Sequence, residues 1–583
     1  MQRGALVLAL LVASRAAGGE AIFSSPQAPA VGGALRLVAV SDRPRDGTLV
    51  LLAPDGARLA ATDERRGGPP WWWYLETTAT AAGAHRACLE GVETTCTDVA
   101  VGESSRHAPL AVWPVAREWS GATEALYSAW VEKLFDDPLD AEPSWPSLDA
   151  VTRRPDRNFL HDHLGLGEDG ARGLRLEPDC ADLPYFLRAY FAWKLGLQFG
   201  WSTCSRGEGG RPPRCTRWRS HLAAVGDGVD TLARMQRFFS RDLAWDVQSG
   251  AGRAPAEDDR TDLYPTRLSA ESLRPGIVYA DPYGHTLVVV RRIPQTAASP
   301  GLLLAVDAQP DGTVARKRWW RGNFLFALDP SLGSPGFKRF RPVVREGRGL
   351  RPLTNQEIFL HPDWGDYALE QYQSDVEGFY DSVDDVLSPV PLEAATAFRA
   401  AIDALDEQIR TRVRSVANGE AFMATHPATV PMPAGAAIFE TTGAWEDYST
   451  PARDLRVLIA IDVVRGFPEK AARRPERFAA RAEGPAGHVR GELDAILREE
   501  AATRRFAYVR SDGSSWTLTL GDVLDRSEAF EAAYNPNDCV EVRWGAPPES
   551  EETATCRRRA PAEQAARMTR YRAWFRDRTR PQR

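Results

Sequence analysis

The sequence predicts a multidomain α+β protein with an N-terminal β-sandwich, a central α+β domain and a mostly helical C-terminal region. The chain has 583 residues, and its 43% apolar and 26% charged residues are typical of globular proteins. Short β-prone runs fill residues 23–104, and apolar residues at helical spacing recur after residue 365. This composition excludes a disordered, collagen-like or many-pass membrane protein.

Residues 1–21 are typical of a secretory signal peptide. Arg3 supplies a positive start, and residues 5–13 form an apolar run that is too short to span a bilayer. No later segment reaches the roughly 20 apolar residues of a membrane-spanning helix, so we predict no transmembrane segment in the mature chain. We therefore expect export to the periplasm or the extracellular space. The alternative is an N-terminal core helix.

The net charge does not favour a nucleic-acid partner. The chain carries 72 basic and 79 acidic side chains, for a formal net charge of −7. Residues 557–583 depart from this balance, with ten arginines against Glu563 and Asp577. This basic tail is either a docking segment for an anionic envelope surface or a solvated helix end.

A small sandwich of immunoglobulin type is predicted for residues 23–104. Residues 35–40 and 48–52 are β-prone runs, and residues 88–96 have the pattern of a hairpin. The adjacent tryptophans Trp71 to Trp73 cannot all point inward from a strand, so at least one faces outward. We favour core or interdomain packing for these rings over a sugar-binding platform.

The central domain is predicted for residues 117–345, with a helix over residues 124–135. Residues 365–583 are predicted to be mostly helical, with a C-terminal β-hairpin over residues 506–520 followed by the basic tail.

Two polar clusters have a structural explanation that we favour over a functional one. Trp445 to Tyr448, with the pair Arg453 and Asp454, precede a predicted helix; we favour capping and ion pairing there over the lining of a ligand cleft. His161 to His163 could supply metal ligands, but no further ligand is evident nearby, so no metal site is predicted.

Cysteine usage fits an oxidising compartment. Six of the seven cysteines fall into neighbouring pairs that would each close a short loop. The predicted disulfides join Cys88 to Cys96, Cys204 to Cys215, and Cys539 to Cys556. Other connectivities of the six remain open. Cys180 is left without a partner, and an unpaired thiol in an exported protein needs a reason to be there.

Cys180 lies where a helix is predicted to begin. Asp179 is a natural N-cap, and Leu183, Leu187 and Tyr190 continue as an apolar helical stripe. At a helix N-terminus the macrodipole and the free N–H groups favour an anion. They activate a thiol as a nucleophile and can bind a developing oxyanion. We therefore predict that Cys180 is a catalytic nucleophile.

His285 is the predicted base. It follows Gly284 at the start of an apolar, β-branched run, which would place it at the mouth of a buried strand. The next strand, over residues 302–309, ends in Asp307 and Gln309, and either could orient the imidazole. Alternatively, Asp307 only opens the turn that follows.

These features resemble the NlpC-type cell-wall peptidases of the papain-like superfamily, over roughly residues 170–310. The shared pattern is Asp-Cys at a helix start, Pro275-Gly276 before a strand, Gly284-His285 entering the next strand, and a polar residue on the third. The resemblance implies a papain-like fold for the central domain and attack of a thiol on an amide.

The resemblance also implies roles for individual residues. Cys180 would be the nucleophile, His285 the general base, and Asp307 or Gln309 the group that orients it. Asp179 would help to bind the free amine of a stem peptide. Ala181 and Asp182 depart from the Ser-Gly that the family usually has after its cysteine. The candidate substrate-binding residues are Asp179, Asp182 and Tyr283.

The sequence thus predicts an exported thiol-dependent amide hydrolase that acts on a cell-wall peptide or peptidoglycan without a cofactor. Two alternatives stay open. One is a non-catalytic envelope binding or scaffold protein on a degenerate papain-like core. The other is a thiol acyltransferase, in which an acceptor other than water takes the acyl group.

Overall fold

The computed structural model describes residues 19–102, 111–222, 230–297, 299–439, 443–479 and 486–581. The apolar run of the predicted signal peptide lies outside these residues. The described chain is a mixed α+β structure with several separate sheets. No helix in this part of the chain has both the length and the apolar character needed to cross a bilayer.

The N-terminal region consists of two four-stranded antiparallel sheets. The strands are β1 (Ala21–Ser25), β2 (Ala34–Ser41), β3 (Thr48–Leu52), β4 (Arg58–Thr62), β5 (Arg65–Gly67), β6 (Trp71–Thr78), β7 (Gly83–Glu90) and β8 (Thr95–Val101). Their orders are β1-β2-β6-β5 and β4-β3-β7-β8. The two sheets share one buried core, which contains Leu37 of β2, Leu49 of β3 and Trp73 of β6. The predicted strands at 35–40 and 48–52 and the predicted hairpin at 88–96 are confirmed.

The adjacent tryptophans divide as strand alternation requires. Trp73 is buried between the two sheets, whereas Trp72 belongs to the core of the central region. Nε1 of Trp72 donates a hydrogen bond of 3.0 Å to Oε2 of Glu132 on a central helix. Trp72 and Trp73 thus serve the packing role that the sequence analysis favoured.

The central region is built on one large sheet. Its helices are α1 (Gly121–Leu134), α2 (Asp149–Thr152), α3 (Asp182–Leu195), α4 (Thr231–Arg237), α5 (Ala244–Asp246), α6 (Asn355–Leu360) and α7 (Val376–Leu387). Its strands are β9 (Ser144–Trp145), β10 (Gly200–Cys204), β11 (Cys215–Ser220), β12 (Leu263–Pro265), β13 (Val278–Ala280), β14 (Thr286–Ile293), β15 (Leu302–Ala308), β16 (Val314–Arg318), β17 (Gly336–Phe340), β18 (Val343–Glu346) and β19 (Gly349–Pro352). Seven of these strands form an antiparallel sheet in the order β12-β17-β13-β14-β15-β16-β9.

The two faces of this sheet bury alternate residues of β14. Val288 and Val290 belong to the same buried core as α1 and α3, and Leu287 and Val289 belong to the core that contains α7. Arg188 of α3 and Glu124 of α1 form a buried ion pair, with Nη1 of Arg188 at 3.0 Å from Oε2 of Glu124. The helix that begins beside Cys180 is therefore held rigidly against the sheet.

Helix α7 packs on the central sheet. The sequence analysis assigned residues from 365 onward to the helical region, but the apolar stripe of α7 covers the second face of the central sheet. Phe379 and Val383 are buried there against sheet residues such as Tyr279. Helical spacing reveals an apolar stripe, but it does not show which surface that stripe covers.

The C-terminal region is mostly helical. Its helices are α8 (Ala394–Thr425), α9 (Ala444–Tyr448), α10 (Pro451–Arg473), α11 (Ala486–Thr503), α12 (Leu520–Asp525), α13 (Ser527–Phe530), α14 (Val540–Arg543) and α15 (Ala562–Arg576). Its strands are β20 (Leu392–Glu393), β21 (Phe478–Ala479), β22 (Arg505–Val509) and β23 (Ser515–Thr519). The predicted hairpin is the β22–β23 pair. A buried ion pair joins α8 to α10, with Nε of Arg412 at 2.8 Å from Oδ1 of Asp454.

Three disulfides are present, and they join the predicted neighbours. The pairs are Cys88–Cys96, Cys204–Cys215 and Cys539–Cys556. Cys180 is free and partly exposed. Since the other six cysteines are oxidised, Cys180 carries the one free thiol of the chain.

Candidate active site

Asp179 organises the chain around Cys180. Its Oδ1 accepts hydrogen bonds from the backbone N–H groups of Ala181 at 2.8 Å and Asp182 at 3.0 Å. Asp179 therefore satisfies two of the N–H groups at the start of α3, as a cap does. The hydroxyl of Thr286 on β14 donates to the carbonyl oxygen of Cys180. The turn that carries the thiol is fixed from both sides.

This capping changes one expectation about the oxyanion. The N–H groups of Ala181 and Asp182 are engaged by Asp179, so they are not free to bind a developing charge. Within the described residues, the N–H of Cys180 itself makes no hydrogen bond. It is the backbone donor beside the sulfur that remains available for an oxyanion.

His285 stands on a tight loop between β13 and β14. Oδ1 of Asp281 accepts hydrogen bonds of 2.8 Å from the N–H groups of Tyr283 and His285. Gly284 has a φ of 100°, and a Cβ there would lie 3.0 Å from Oγ of Ser249. The loop therefore requires glycine at this position, since side chains rarely adopt this conformation. Sγ of Cys180 lies 3.8 Å from the carbonyl oxygen of Gly284.

Cys180, His285 and Asp307 lie together. Sγ of Cys180 lies beside the His285 loop, 3.8 Å from the carbonyl oxygen of Gly284, and its interaction with the imidazole raises the pKa of His285. Nε2 of His285 lies 3.0 Å from Oδ2 of Asp307, which is only 2% exposed. Because a carboxylate accepts at Nε2, the imidazole proton is held there, which leaves Nδ1 as the nitrogen that can take up a proton.

Gln309 supports Asp307 and does not contact the imidazole. Its Nε2 donates to Oδ2 of Asp307 at 3.2 Å. Nζ of Lys317, on the neighbouring strand β16, lies 3.7 Å from Oδ1 of Asp307. Of the two predicted orienting residues, the structure therefore places Asp307 against His285 and Gln309 behind it. The predicted turn begins at Gln309, whose carbonyl oxygen accepts from the N–H of Gly312, so Asp307 lies within β15 and does not open the turn.

The charges in this group reinforce one another. Burial alone would lower the pKa of His285, but the negative charge of Cys180 and the hydrogen bond to Asp307 raise it to about 10. Burial would raise the pKa of Asp307, but Lys317 and His285 lower it to about 2. At neutral pH these pKa values favour an imidazolium at His285 that is held against the carboxylate of Asp307.

The three predicted substrate-binding residues have separate environments. Asp179 is used in capping, as described above. Asp182 is 7% exposed, and burial together with the charge of Asp179 raises its pKa to about 8. The hydroxyl of Tyr283 accepts a hydrogen bond of 3.2 Å from the backbone N–H of Arg580, in the basic tail. Tyr283 therefore contacts the C-terminal segment.

Several groups around the site carried no clear sequence signal. Asp281 lies in the turn sequence Asp-Pro-Tyr-Gly, which could have identified it as the organiser of the His285 loop. Lys317 becomes a neighbour of Asp307 only through the register of β15 and β16, in which Asp307 pairs with Ala315. Such a diagonal contact cannot be read from one strand alone.

Two groups of potential metal ligands occur in the described residues, and neither is an open metal site. Cys539 and Cys556 lie beside Glu541, but the two sulfurs form a disulfide. Asp162, Glu168 and Asp169 lie close together, and Nζ of Lys194 lies 2.6 Å from Oε1 of Glu168 and 2.5 Å from Oδ2 of Asp169. The lysine occupies the position that a cation would take.

Comparison with known proteins gives no match: no family model, no curated protein and no solved structure is significantly similar to the chain.

Proposed function

We propose that the chain is an exported cysteine hydrolase that cleaves an amide bond in a cell-wall peptide. The observation that supports the proposal is the position of His285 between the free thiol of Cys180 and the buried carboxylate of Asp307. The thiol lies two residues before helix α3, the imidazole precedes one strand, and the carboxylate lies on the next strand of the same sheet. On the basis of this order we propose a papain-like arrangement for the central domain.

The first half of the reaction forms a thioester. The sulfur of Cys180 attacks the amide carbonyl carbon, and the oxyanion accepts a hydrogen bond from the N–H of Cys180. His285 then donates its proton to the leaving nitrogen, the C–N bond breaks, and a free amine departs. Asp307 holds the imidazole in the orientation that both steps require.

The second half releases the acid. His285 is now neutral and removes a proton from water, whose oxygen attacks the thioester carbonyl. The C–S bond breaks, and the sulfur leaves as the thiolate while His285 retains the proton. The starting ion pair is restored, and one water molecule has been consumed for each amide cleaved.

The test uses purified protein, its Cys180→Ala variant and peptidoglycan fragments analysed by mass spectrometry. We expect products that gain one water with the unaltered protein and none with Cys180→Ala. Equal thermal unfolding of the two proteins would show that the loss is chemical. Products joined to an added amine would instead identify an acyltransferase. If neither protein releases products, the proposal that peptidoglycan peptides are the substrate would be contradicted.

A second measurement separates an enzyme from a non-catalytic scaffold. Because Cys180 is the one free thiol, alkylation by iodoacetamide reports on it alone. An activated thiol should react rapidly near neutral pH in the folded protein. Reaction only after denaturation would favour a scaffold protein with a structural thiol. His285→Ala should slow the reaction if the imidazole activates the sulfur.

The remaining predictions belong to the same proposal. Export is supported by three disulfides, which persist in oxidising compartments. The two facing N-terminal sheets are consistent with a sandwich of immunoglobulin type. We propose that this region and the helical region position a large substrate over the cleft, and that the basic tail contributes to an anionic contact.

A further inference from the structure

We propose that the C-terminal segment of the chain positions the catalytic histidine, with Arg580 and Tyr283 as positioning residues for the loop that carries His285. The segment, which we call the C-terminal strap, consists of residues 577–580 and directly follows α15. The inference rests on the proposed function for its reaction, and it adds a distant part of the chain that the catalytic group requires.

The strap contacts the loop between β13 and β14 that carries His285. The backbone N–H of Arg580 donates a hydrogen bond of 3.2 Å to the hydroxyl of Tyr283. The guanidinium carbon of Arg580 lies 5.3 Å from the centroid of the Tyr283 ring and 5.1 Å from that of the Phe439 ring. A guanidinium within about 6 Å of an aromatic centroid is attracted to the face of the ring. Arg580 therefore contacts both the hydroxyl and the ring of Tyr283.

Backbone geometry gives the strap a fixed path away from α15. Arg578 has a φ of 54°, the left-handed conformation in which many helices end. The N–H of Arg578 donates to the carbonyl oxygen of Phe575 at 3.2 Å, and the N–H of Thr579 donates to that of Trp574 at 2.8 Å. These two hydrogen bonds form the Schellman pattern of a helix C-terminus. The strap therefore leaves α15 in a defined direction.

An ion pair fastens the strap to α10. Nε and Nη2 of Arg578 lie 2.6 and 3.0 Å from the two carboxylate oxygens of Asp462. A guanidinium that bonds both oxygens of a carboxylate fixes orientation as well as distance. Helix α10 also contacts the central region, since Nε of Arg456 donates a hydrogen bond of 3.1 Å to the carbonyl oxygen of Gly322. The strap therefore has supports of its own on α10 and α15.

Tyr283 links the strap to His285. The N–H groups of Tyr283 and His285 both donate to Oδ1 of Asp281, each at 2.8 Å. Gly284 lies between them, and its carbonyl oxygen is 3.8 Å from Sγ of Cys180. A displacement of Tyr283 therefore moves the backbone that presents the imidazole beside the sulfur.

The strap supports one side of the loop, and the protein core supports the other. Nη1 of Arg253, a residue that is only 6% exposed, donates a hydrogen bond of 3.1 Å to the carbonyl oxygen of Pro282. Two neighbouring residues of the loop are thus held by groups from distant parts of the chain. Loss of the strap would remove the support on the Tyr283 side, so we expect His285 to sample a wider range of positions.

This role differs from the direct substrate contact that the sequence analysis suggests for Tyr283. A residue that positions His285 affects kcat, because the chemical step depends on the alignment of the reacting groups. A residue that binds the substrate equally in the ground state and the transition state affects KM. Kinetics therefore distinguishes the two roles.

Two variants remove the two contacts separately. Tyr283→Phe keeps the ring and removes the hydroxyl that accepts from Arg580, whereas Arg580→Ala keeps the backbone N–H and removes the guanidinium. On peptidoglycan fragments we expect each variant to lower kcat about 3- to 10-fold with KM nearly unchanged. The alkaline limb of the kcat profile should also move to lower pH, because an imidazole displaced from Asp307 loses part of its stabilising partner.

Alkylation of Cys180 by iodoacetamide gives a readout that needs no substrate. We expect the rate constant near neutral pH to fall about threefold or more in both variants, the effect of losing one hydrogen bond that positions the site. Arg578→Ala and Asp462→Asn release the strap at a distance from the site, and each should reproduce this decrease. The variant that combines these two substitutions should fall no further than either alone, since both break the same ion pair.

The matched control is Arg576→Ala, which removes an exposed arginine at the end of α15. Nε of Arg576 lies 3.3 Å from Oδ1 of its neighbour Asp577, so its loss should leave kcat and the alkylation rate unchanged. All rates are measured well below the unfolding temperature of each variant, so that global unfolding does not contribute to them.

The two readouts separate this proposal from the hydrolase proposal. If alkylation slows in the strap variants but the unaltered protein cleaves no peptide, the strap stands and the hydrolase proposal fails. If the unaltered protein cleaves peptides and the strap variants match it in kcat and alkylation, the strap proposal is overturned. A raised KM with unchanged kcat in Tyr283→Phe would also overturn it, because Tyr283 would then contact the substrate directly.

Discussion

Oδ2 of Asp307 lies 3.0 Å from Nε2 of His285, although the two residues are 22 positions apart in the sequence. The antiparallel pairing of β14 and β15 brings their ends together, so that the carboxylate on one strand reaches the imidazole before the other. The relationship fixes the tautomer of His285 and makes it the central member of the candidate site.

Replacing Asp307 should change the pH dependence of activity. The raised pKa of His285 predicts that activity falls on the alkaline side as pH passes through about 10, where the imidazolium loses its proton. Asp307→Asn removes a negative partner, so the alkaline limb should move to lower pH and kcat should fall at least about tenfold. The measurement is a pH profile of kcat/KM.

Gln309→Ala is the control for that profile. Gln309 contacts Asp307 and not His285, so its loss should leave the alkaline limb near its original position. An unchanged limb in Asp307→Asn would show that the carboxylate does not stabilise the imidazolium.

Asp182 should destabilise the folded protein at alkaline pH. Its pKa is about 8 in the folded chain, above its ordinary value near 4, so the folded state favours the protonated acid. Its stabilising effect is complete below pH 4 and is lost as pH rises to about 8. Asp182→Asn should therefore raise the free energy of unfolding by about 5 kcal/mol at pH 9 relative to its effect at pH 4. Urea unfolding at the two values measures this difference, and equal effects at both would contradict it.

Lys194 should be essential for stability. Its ammonium is fully buried between Glu168 and Asp169, so Lys194→Met leaves two buried carboxylates without their counter-ion. Removal of one partner from such a cluster typically costs about 3–5 kcal/mol. Denaturant unfolding provides the measurement. Arg154→Ala, which breaks an exposed pair with Asp156, should leave stability nearly unchanged.

Gly284 should be needed for activity as well as for the turn. Gly284→Ala introduces a strained φ and a Cβ against Ser249, so we expect a loss of about 1–2 kcal/mol in stability and a displaced His285. Gly513→Ala has a similar φ of 87° with open space around it, far from the site. Gly513→Ala should therefore lower the stability of the protein through backbone strain while leaving its activity normal. Equal activity in the two variants would contradict the prediction, because it would mean that alanine at position 284 does not displace His285.

The sequence predicted the parts of the site whose signals are local. A free cysteine after a capping aspartate, a histidine after a glycine, and an acidic residue ending an apolar strand are all visible in short segments. Cys180, His285 and Asp307 were found for that reason. Asp307 and Gln309 could not be ranked from sequence because the choice depends on side-chain reach, which only the strand register determines.

The contacts of the C-terminal region with the central region could not be predicted from the sequence. Nε of Arg456 in α10 donates a hydrogen bond to the carbonyl oxygen of Gly322 in the loop after β16, and this contact depends on how α10 packs. The contact of Arg580 with Tyr283 joins residues 297 positions apart. The packing of α7 on the central sheet has the same origin, since helical spacing does not name a partner surface. Contacts between regions depend on the shape and charge of surfaces that many helices and strands build together, so a short sequence pattern does not reveal them.

All three disulfides are short-range: the most widely spaced pair is 17 positions apart. None of them ties one region of the chain to another, so reduction would loosen individual hairpins and turns while leaving the regions held by packing and ion pairs. Each of these six cysteines is disulfide-bonded to a cysteine close to it in the sequence. Cys180 is thereby spared competition from other free thiols in the folded chain, which lets one chain hold permanent cross-links and a free thiol together.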